Sequence, residues 1–486
     1  MIHPDHGQDR RNVILIIADT FRRDNLRPPA QGGPRTPHLD RFFTERAASV
    51  ERYYCGSFPT GPNRTDIVTG RAGWPHFPWQ PVAQSSPNHL ARLFGDAGYL
   101  TQLICDSAHL IQPNLALFPG FHAWYCERGQ EGDTPLLHAN DPIPAVVPHD
   151  KTFPIPGGSS PTLVDRHRWH NRYFELEEQT FCYRTARTTV RWLEENYRSP
   201  QPFFLWVDFF DPHEPWDPPE YLVRRYDPNY AGTPMMMPNY GLATRYTPAE
   251  LANLRAHYLA ETELVDRHVG RILEKIDDLE LWQDTVVVFA SDHGTSLGEH
   301  GRTSKINRDP DDRRYWTLSP ELSHIPLLVA APGVTPGGRH EVFAQPVDLM
   351  PTLFDLSGVS ADGAVATPQS LHGHSLAAAL RGHDTRKRAT TLSGSFPGEI
   401  GPGDEWPRGV NTPFVITEEY GYAPIGEDGT PQLFDLAADP LAERPLGAGG
   451  TDLDEGHARF DALLQEIDAP KRLLEFFDRG ARRGSG

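Results

Sequence analysis

Ionisable side chains stand at the ends of apolar runs in three places along the chain. Asp19 lies just past VILIIA, Asp292 and His293 just past VVVFAS, and Asp211 and His213 just past FFLWVDFF. Two carboxylates and an imidazole, from Asp19, Asp292 and His293, make a ligand set that suits one divalent cation such as Mn, Zn, Mg or Ca. A single Asp after a strand is commonly a helix N-cap; the joint arrangement favours the metal. A further stretch, CGSFPTGPNRTDIVTG (55–70), holds a cysteine, a serine and three threonines, any of which could be a nucleophile. RTDIVTG reads as the first turns of a helix closed by glycine, preceded by a turn at TGPN. Thr60 then lies near a helix N-terminus, where backbone N–H groups and the macrodipole favour an anion. Arg64 could hold two oxygens of that anion with its planar fork. The alternative is a plain turn capped by Thr60.

The elements that must position these groups are legible as apolar runs rich in β-branched residues: NVILIIADT (12–20), YLTQLICD (99–106), PFFLWVDFF (202–210), TVVVFASD (285–292) and IPLLVAAP (325–332). Continuous apolar strands alternating with helical patterns (87–97, 178–197, 248–278, 346–357) predict a doubly wound parallel sheet buried on both faces. In such sheets ligands bind at the carboxyl ends of the strands, which is where the acids above fall. The sequence predicts a catalytic α/β domain over 1–385, with an irregular Pro-, Gly- and His-rich insertion at about 120–172. From 386 to 486 short alternating segments (ATTLSGS, TPFVITEEYGY, PQLFDLAADP), a helix near 452–468 and a charged tail predict a small α+β lobe with antiparallel strands. The stretch 165–181 reads as a packed helix with a charged face.

Composition narrows the partners. Lys and Arg number 46 against 65 Asp and Glu, a net charge of −19, which argues against nucleic acid and anionic membranes. An anionic small molecule in a locally positive pocket remains compatible. VILIIA is too short for a signal or spanning segment, so a cytoplasmic protein is expected. Four cysteines without CxxC pairing (Cys55, Cys105, Cys126, Cys182) read as buried free thiols.

A set of segments, in order and nearly end to end, resembles the sulfatase branch of the alkaline phosphatase superfamily: NVILIIAD, TPHLDRF (36–42), IVTGR (67–71), DAGYLTQLI (96–104), DPHEPWDPP (211–219), SDHGTSLGEHG (291–301), HIPLLVAAPG (324–333), QPVDLMPTLFDLSGV (345–359) and LFDLAADP (433–440). The family's hallmark is Cys or Ser, any residue, Pro, any residue, Arg, its first position converted to formylglycine. Thr60-Gly61-Pro62-Asn63-Arg64 aligns with it, so the resemblance implies that Thr60 is the nucleophile and that no formylglycine forms. Many family members pair two Asp after the first strand and Asp-Asn later, a set suited to calcium. Here the pairs are Asp19-Thr20 and Asp292-His293, and the imidazole moves preference toward Mn or Zn. Thr, Asp and His together resemble phosphonate monoester hydrolases and threonine-using phosphotransferases.

The resemblance implies further roles. Thr60 joins Asp19, Asp292 and His293 around the metal, Arg64 and Lys305 neutralise charge on the transferred group, and His213 protonates the leaving group. Asp106 falls where the family carries the lysine of a GKWH segment, and His109 is a candidate for its lost histidine. Asn63, Asp106, His109, His300 and His324 are expected to support the site from behind. Three functions compete: a phosphodiester or phosphonate monoester hydrolase, a sulfatase working without formylglycine, and a non-catalytic binding protein. The expected partner is a small anionic ester, with a homo-oligomer possible from relatives' habits.

Overall fold

The computed structural model describes residues 10–81, 88–112, 115–131, 133, 151, 163–359, 371–383, 388–398, 400, 405–446 and 450–483. Three apolar runs form the middle of the main sheet: β1 (Asn12–Ala18), β6 (Phe203–Phe209) and β7 (Thr285–Ser291), buried at every residue. Around them lie β2 (Ala48–Tyr53), β4 (Leu100–Cys105), β5 (Ala123–Cys126), β10 (Leu327–Ala330) and β11 (Arg339–Ala344). The eight strands run in the order β11-β2-β10-β7-β1-β6-β4-β5. Strands β7, β1, β6, β4 and β5 are parallel neighbours. Ala18 stands level with both Phe209 and Ser291, so residues following all three central strands emerge on one rim.

One core layer packs Val13, Leu15, Ile17 and Trp206 against Ile67, Val68 and Leu353. The other packs Ile14, Ile16, Leu205 and Val207 against Ala186, Leu264 and Ile272. Helices on both faces are therefore what the continuous apolar strands require. The longest helix, Pro248–Asp278, is fixed at its start by a capping box: Glu250 N–H donates to Thr247 Oγ1 at 3.3 Å, and Thr247 N–H to Glu250 Oε2 at 2.8 Å. Among the described residues no helix is long and apolar enough to cross a membrane.

Two expectations need correction. IPLLVAAP does not run with its neighbours: β10 is antiparallel to β7 and β2. The chain leaves β7 at the rim, stays there through His324 and returns downward, and an apolar run carries no mark of its direction. The charged tail is in fact a helix, Lys471–Arg483, whose Leu473 and Phe477 join the core formed by Phe460 and Trp406. Much of the predicted insertion (132, 134–150 and 152–162) lies outside the described residues. Its described parts include β5, which extends the sheet beside β4, and the helix Leu163–His170. That helix is shorter than the one read over 165–181.

The second sheet joins the antiparallel strands β12 (Thr391–Ser395), β13 (Phe414–Ile416), β14 (Tyr420–Ala423) and β15 (Gln432–Asp435). Its edge is completed by β3 (Ser57–Phe58), parallel to β12, so the strand preceding Thr60 is held by the small lobe. A two-residue hairpin, β8 (Ser296–Leu297) with β9 (Thr303–Ser304), follows His293 on the rim. Cys55, Cys105 and Cys182 are buried, Cys126 half-buried, and all four thiols are free.

Candidate active site

Asp19, Asp292 and His293 meet at the ends of β1 and β7, all fully buried, with ligand atoms within 4.8 Å of one another. Asp292 Oδ1 accepts N–H bonds from Thr20 (2.9 Å) and His293 (2.7 Å). Thr20 has φ of +63°, an unfavourable region for a β-branched residue. It is held there by its hydroxyl donating to Asp19 Oδ1 (2.8 Å) and its carbonyl accepting from Tyr258 (2.9 Å). His293 Nδ1 lies 3.0 Å from the Gly294 carbonyl, which assigns the ring proton to Nδ1 and leaves a lone pair on Nε2. Nε2 faces Asp292 Oδ2 (3.6 Å), Asp19 Oδ1 (3.8 Å) and Thr60 Oγ1 (3.4 Å). Burial lowers His293 to about 4 despite the Asp292 charge, so the ring is neutral, as a metal ligand must be.

The charges around this cluster fit a divalent cation. Asp19, Asp208 and Asp292 are fully buried against one buried guanidinium, Arg64. With all three ionised, two negative charges remain over, the charge one dication cancels. Asp19 Oδ2 is buried without a hydrogen-bond partner. Burial, reinforced by the Asp292 charge, holds the Asp19 carboxyl well above its usual range, so without a cation it retains a proton.

Arg64 departs from expectation. Its Nε and Nη2 fork onto Asp208 at 3.2 and 2.8 Å, while Nη1 contacts Asp292 and lies 3.3 Å from Asp19. The fork expected to clamp an anion is thus filled by Asp208, because a guanidinium with no solvent exposure needs carboxylates around it. Asp208 escaped the sequence reading, although a lone acid inside a strand buried on both faces was the available signal.

The five nucleophile candidates separate in the structure. Thr65 and Thr69 hydroxyls bond back to Gly61 O (3.1 Å) and Thr65 O (2.7 Å) within their own helix. Ser57 Oγ donates to Asp66 at 2.7 Å, and burial pushes the Cys55 thiol well up. Thr60 opens the helix Thr60–Thr69 and turns its hydroxyl to His293. The helix begins a turn earlier than the sequence suggested and ends at Gly70, whose φ of +64° suits glycine. Asn63 donates to the Asp292 carbonyl at 2.8 Å, tying this helix to the metal-ligand turn.

Lys305 and His213 form the neighbouring wall, and the Lys305 charge lowers both Asp19 and His293. Lys305 Nζ lies 2.6 Å from His213 Nε2 and 2.8 Å from Glu214 Oε1. His213 Nδ1 is 2.6 Å from the Glu214 carbonyl, so Nδ1 donates and Nε2 accepts from Lys305. Burial lowers His213, and the Lys305 charge adds to this. The imidazole expected to protonate the leaving group thus carries its proton on Nδ1, with Nε2 turned to Lys305. Glu214, buried and hydrogen bonded by Tyr240, is held down to about 2, burial being outweighed by His213 and Lys305. It was missed, though DPHEPW displays it beside the histidine.

The supporting residues divide. Asp106 is a buried anchor: it accepts Phe210 N–H (2.6 Å) and Thr185 Oγ1 (3.0 Å), and Phe210 stacks on His213 at 4.1 Å. His109 pairs with Glu131 at 2.7 Å and meets Trp79 edge-on; Glu131, in the insertion, gave no sequence signal. His300 and His324 lie elsewhere. The first contacts Glu321, Glu427 and Leu441 O; the second stacks on Tyr54 and bonds to Glu51 O. Neither touches a metal-cluster residue.

The family model described as Sulfatase matches residues 11–359. The arylsulfatase of Clostridium perfringens is 25% identical over 462 residues, covering 88% of each chain. The multifunctional alkaline phosphatase superfamily protein PehA of Trinickia caryophylli is 24% identical over 432 residues, covering 76% of each. Among solved structures, the phosphonate monoester hydrolase of Agrobacterium radiobacter superposes with a TM-score of 0.68 at 22% identity, covering 94% of this chain and 95% of that one. The last likeness concerns the fold.

Proposed function

The chain belongs to the sulfatase family, and from that premise we propose that it hydrolyses phosphodiesters or phosphonate monoesters by attack of the Thr60 hydroxyl. It is a hydrolase acting on esters, and the proposal concerns its substrate and nucleophile. The observation that supports it is Thr60 Oγ1 standing 3.4 Å from His293 Nε2, beside the candidate metal cluster. A cation held by Asp19, Asp292 and His293, Mn or Zn by the character of the set, supplies Lewis acidity that lowers the hydroxyl pKa and draws charge from the ester.

The residues divide the work. Thr60 Oγ1, its proton lost to solvent, forms a bond to phosphorus as the bond to the leaving oxygen breaks. That oxygen keeps the electron pair and takes a proton from the Lys305–His213 pair. Before transfer, the Lys305 ammonium stabilises charge on the phosphoryl oxygens. Arg64 acts from behind, holding Asp19, Asp208 and Asp292 apart and fixing the start of the Thr60 helix. Water then attacks phosphorus, cleaves the phosphothreonine and returns the proton to the pair. A threonyl ester has no aldehyde to collapse to, so release requires attack at the central atom. This favours phosphorus over sulfur.

A panel of aryl sulfate, phosphate monoester, phosphodiester and phosphonate substrates with Mn or Zn tests the reading, together with the intact mass of trapped enzyme. Phosphodiester or phosphonate turnover with a phosphate adduct on the Thr60 peptide is expected. Turnover of sulfate alone would replace the proposal with a sulfatase working without formylglycine, and silence with metal bound would replace it with a binding protein.

A further inference from the structure

A second cluster of metal-type ligands lies on the opposite face of the sheet from the Thr60 helix. Cys182, at the start of the helix Phe181–Asn196, Asp211, just past β6, and Glu261, midway along Pro248–Asp278, bring ligand atoms within 4.8 Å of one another. Their exposures are 0, 5 and 3%. Glu261 Oε2 is buried without a hydrogen-bond partner. Gln130 Nε2 donates to Asp211 Oδ1 at 2.6 Å, and Thr180 Oγ1 lies 3.7 Å from Cys182 Sγ. Among the described residues no Lys or Arg forms an ion pair with Asp211 or Glu261, whereas nearby Asp217 is matched by His167 (2.9 Å) and Arg168 (3.0 Å). Two buried carboxyls thus have no Lys or Arg partner among the described residues, unlike Asp217. Burial, followed by the charges of Asp211 and Asp217, holds Glu261 well above its usual range, and burial raises Asp211 to about 6.

We propose that Cys182, Asp211 and Glu261 bind a second divalent cation of the zinc type, which anchors the turn that carries His213. A thiolate with two carboxylates matches zinc among the common cations. Three protein ligands leave a position facing the adjoining cavity of about 910 Å³, which Asp211, Glu261 and His257 help to line. Binding releases the Cys182 proton and any carboxyl proton to solvent. The site joins two helices to the 211–217 turn, a role separate from the chemistry at Thr60.

The test uses full-length protein stripped of metal and reloaded with Zn(II) or Co(II), read by elemental analysis and by near-ultraviolet sulfur-to-cobalt absorption. The wild type is expected to hold two equivalents and to show thiolate absorption. Cys182→Ser should lose that absorption and one equivalent; Asp292→Asn should lose one equivalent and keep the absorption. Glu261→Gln should weaken zinc at this site by about tenfold or more. Absence of thiolate absorption in the wild type, at either stoichiometry, or its persistence in Cys182→Ser would overturn the proposal. If Cys182→Ser does not fold, the wild-type spectrum and Glu261→Gln decide. Because Asp292→Asn disables the first site alone, failure here leaves the Thr60 reading untouched.

Discussion

At the scale of single residues, a hydroxyl and an ammonium carry separable consequences. Thr60 is the sole candidate of its stretch turned toward the metal cluster, so Thr60→Ala should lower kcat/KM by at least about 10⁴-fold, the order expected when a nucleophile is removed. Thr60→Ser keeps the oxygen, loses one methyl group and should stay within about 100-fold of wild type. Substrate turnover by both variants checks this; comparable loss in both would show that the hydroxyl is not the reacting group. Lys305 depends on Glu214, which accepts from it at 2.8 Å in a fully buried position. Removing one partner of a buried pair leaves the other uncompensated. Glu214→Ala should therefore cost about 3–5 kcal/mol in urea denaturation, besides impairing catalysis. A loss below about 1 kcal/mol would mean that water compensates the ammonium. Glu214 was readable as an acid beside a histidine, but its role required knowing that Lys305, ninety-one positions on, folds against it.

Where elements meet, His300 ties the rim hairpin to the small lobe. Its ring is clasped by Glu321 at 3.5 Å and Glu427 at 3.3 Å, while the chain turns with φ of +55°. Burial opposes charge on the ring, but Glu321 and Glu427 outweigh it and raise His300 to about 9. An imidazole raised from about 6.5 stabilises the fold fully below about pH 6.5, and that stability is lost as pH rises through about 9. The difference is at most about 3.5 kcal/mol, from about 1.4 kcal/mol per pK unit. Denaturation of wild type and His300→Gln at pH values on either side of this window should show the wild type losing that increment and the variant much less. Equal pH dependence in both would remove His300 as its source. The sequence placed His300 near the metal because GEHG follows the ligand pair closely; the left-handed turn at His300 points its ring toward Leu441 instead.

Across the whole molecule, the sheet's middle was legible because strands buried on both faces must be continuously apolar, as NVILIIA and TVVVFAS are. Strand direction was not, and β10 turned against its neighbours. The strands at one end of the sheet, β2 and the edge strand β11, were not either, since ASVERY and RHEVFA mix charge with apolar residues as half-covered strands do. The acids at strand ends were legible for the same reason as the strands: a parallel sheet delivers its carboxyl ends to one rim. The compensating Arg64–Asp208 pair was hidden because it depends on a helix from one part of the chain meeting a strand from another. That convergence would make the proposed metal a keystone for global stability as well as chemistry. Without a dication, the buried Asp19 and Asp292 face one another with nothing bridging them, and strands β1 and β7 with the Thr60 helix lose a shared partner. Ligand that binds only the folded chain stabilises it by about 2.7 kcal/mol at one hundred times its Kd. Metal-free protein titrated with Mn(II), a poor match for the thiolate of Cys182, should therefore show a melting temperature that climbs by several degrees and keeps climbing with the logarithm of free metal. Asp292→Asn should flatten the climb. A wild-type melting temperature indifferent to Mn(II), or a climb that survives in Asp292→Asn, would place the cation somewhere other than between β1 and β7.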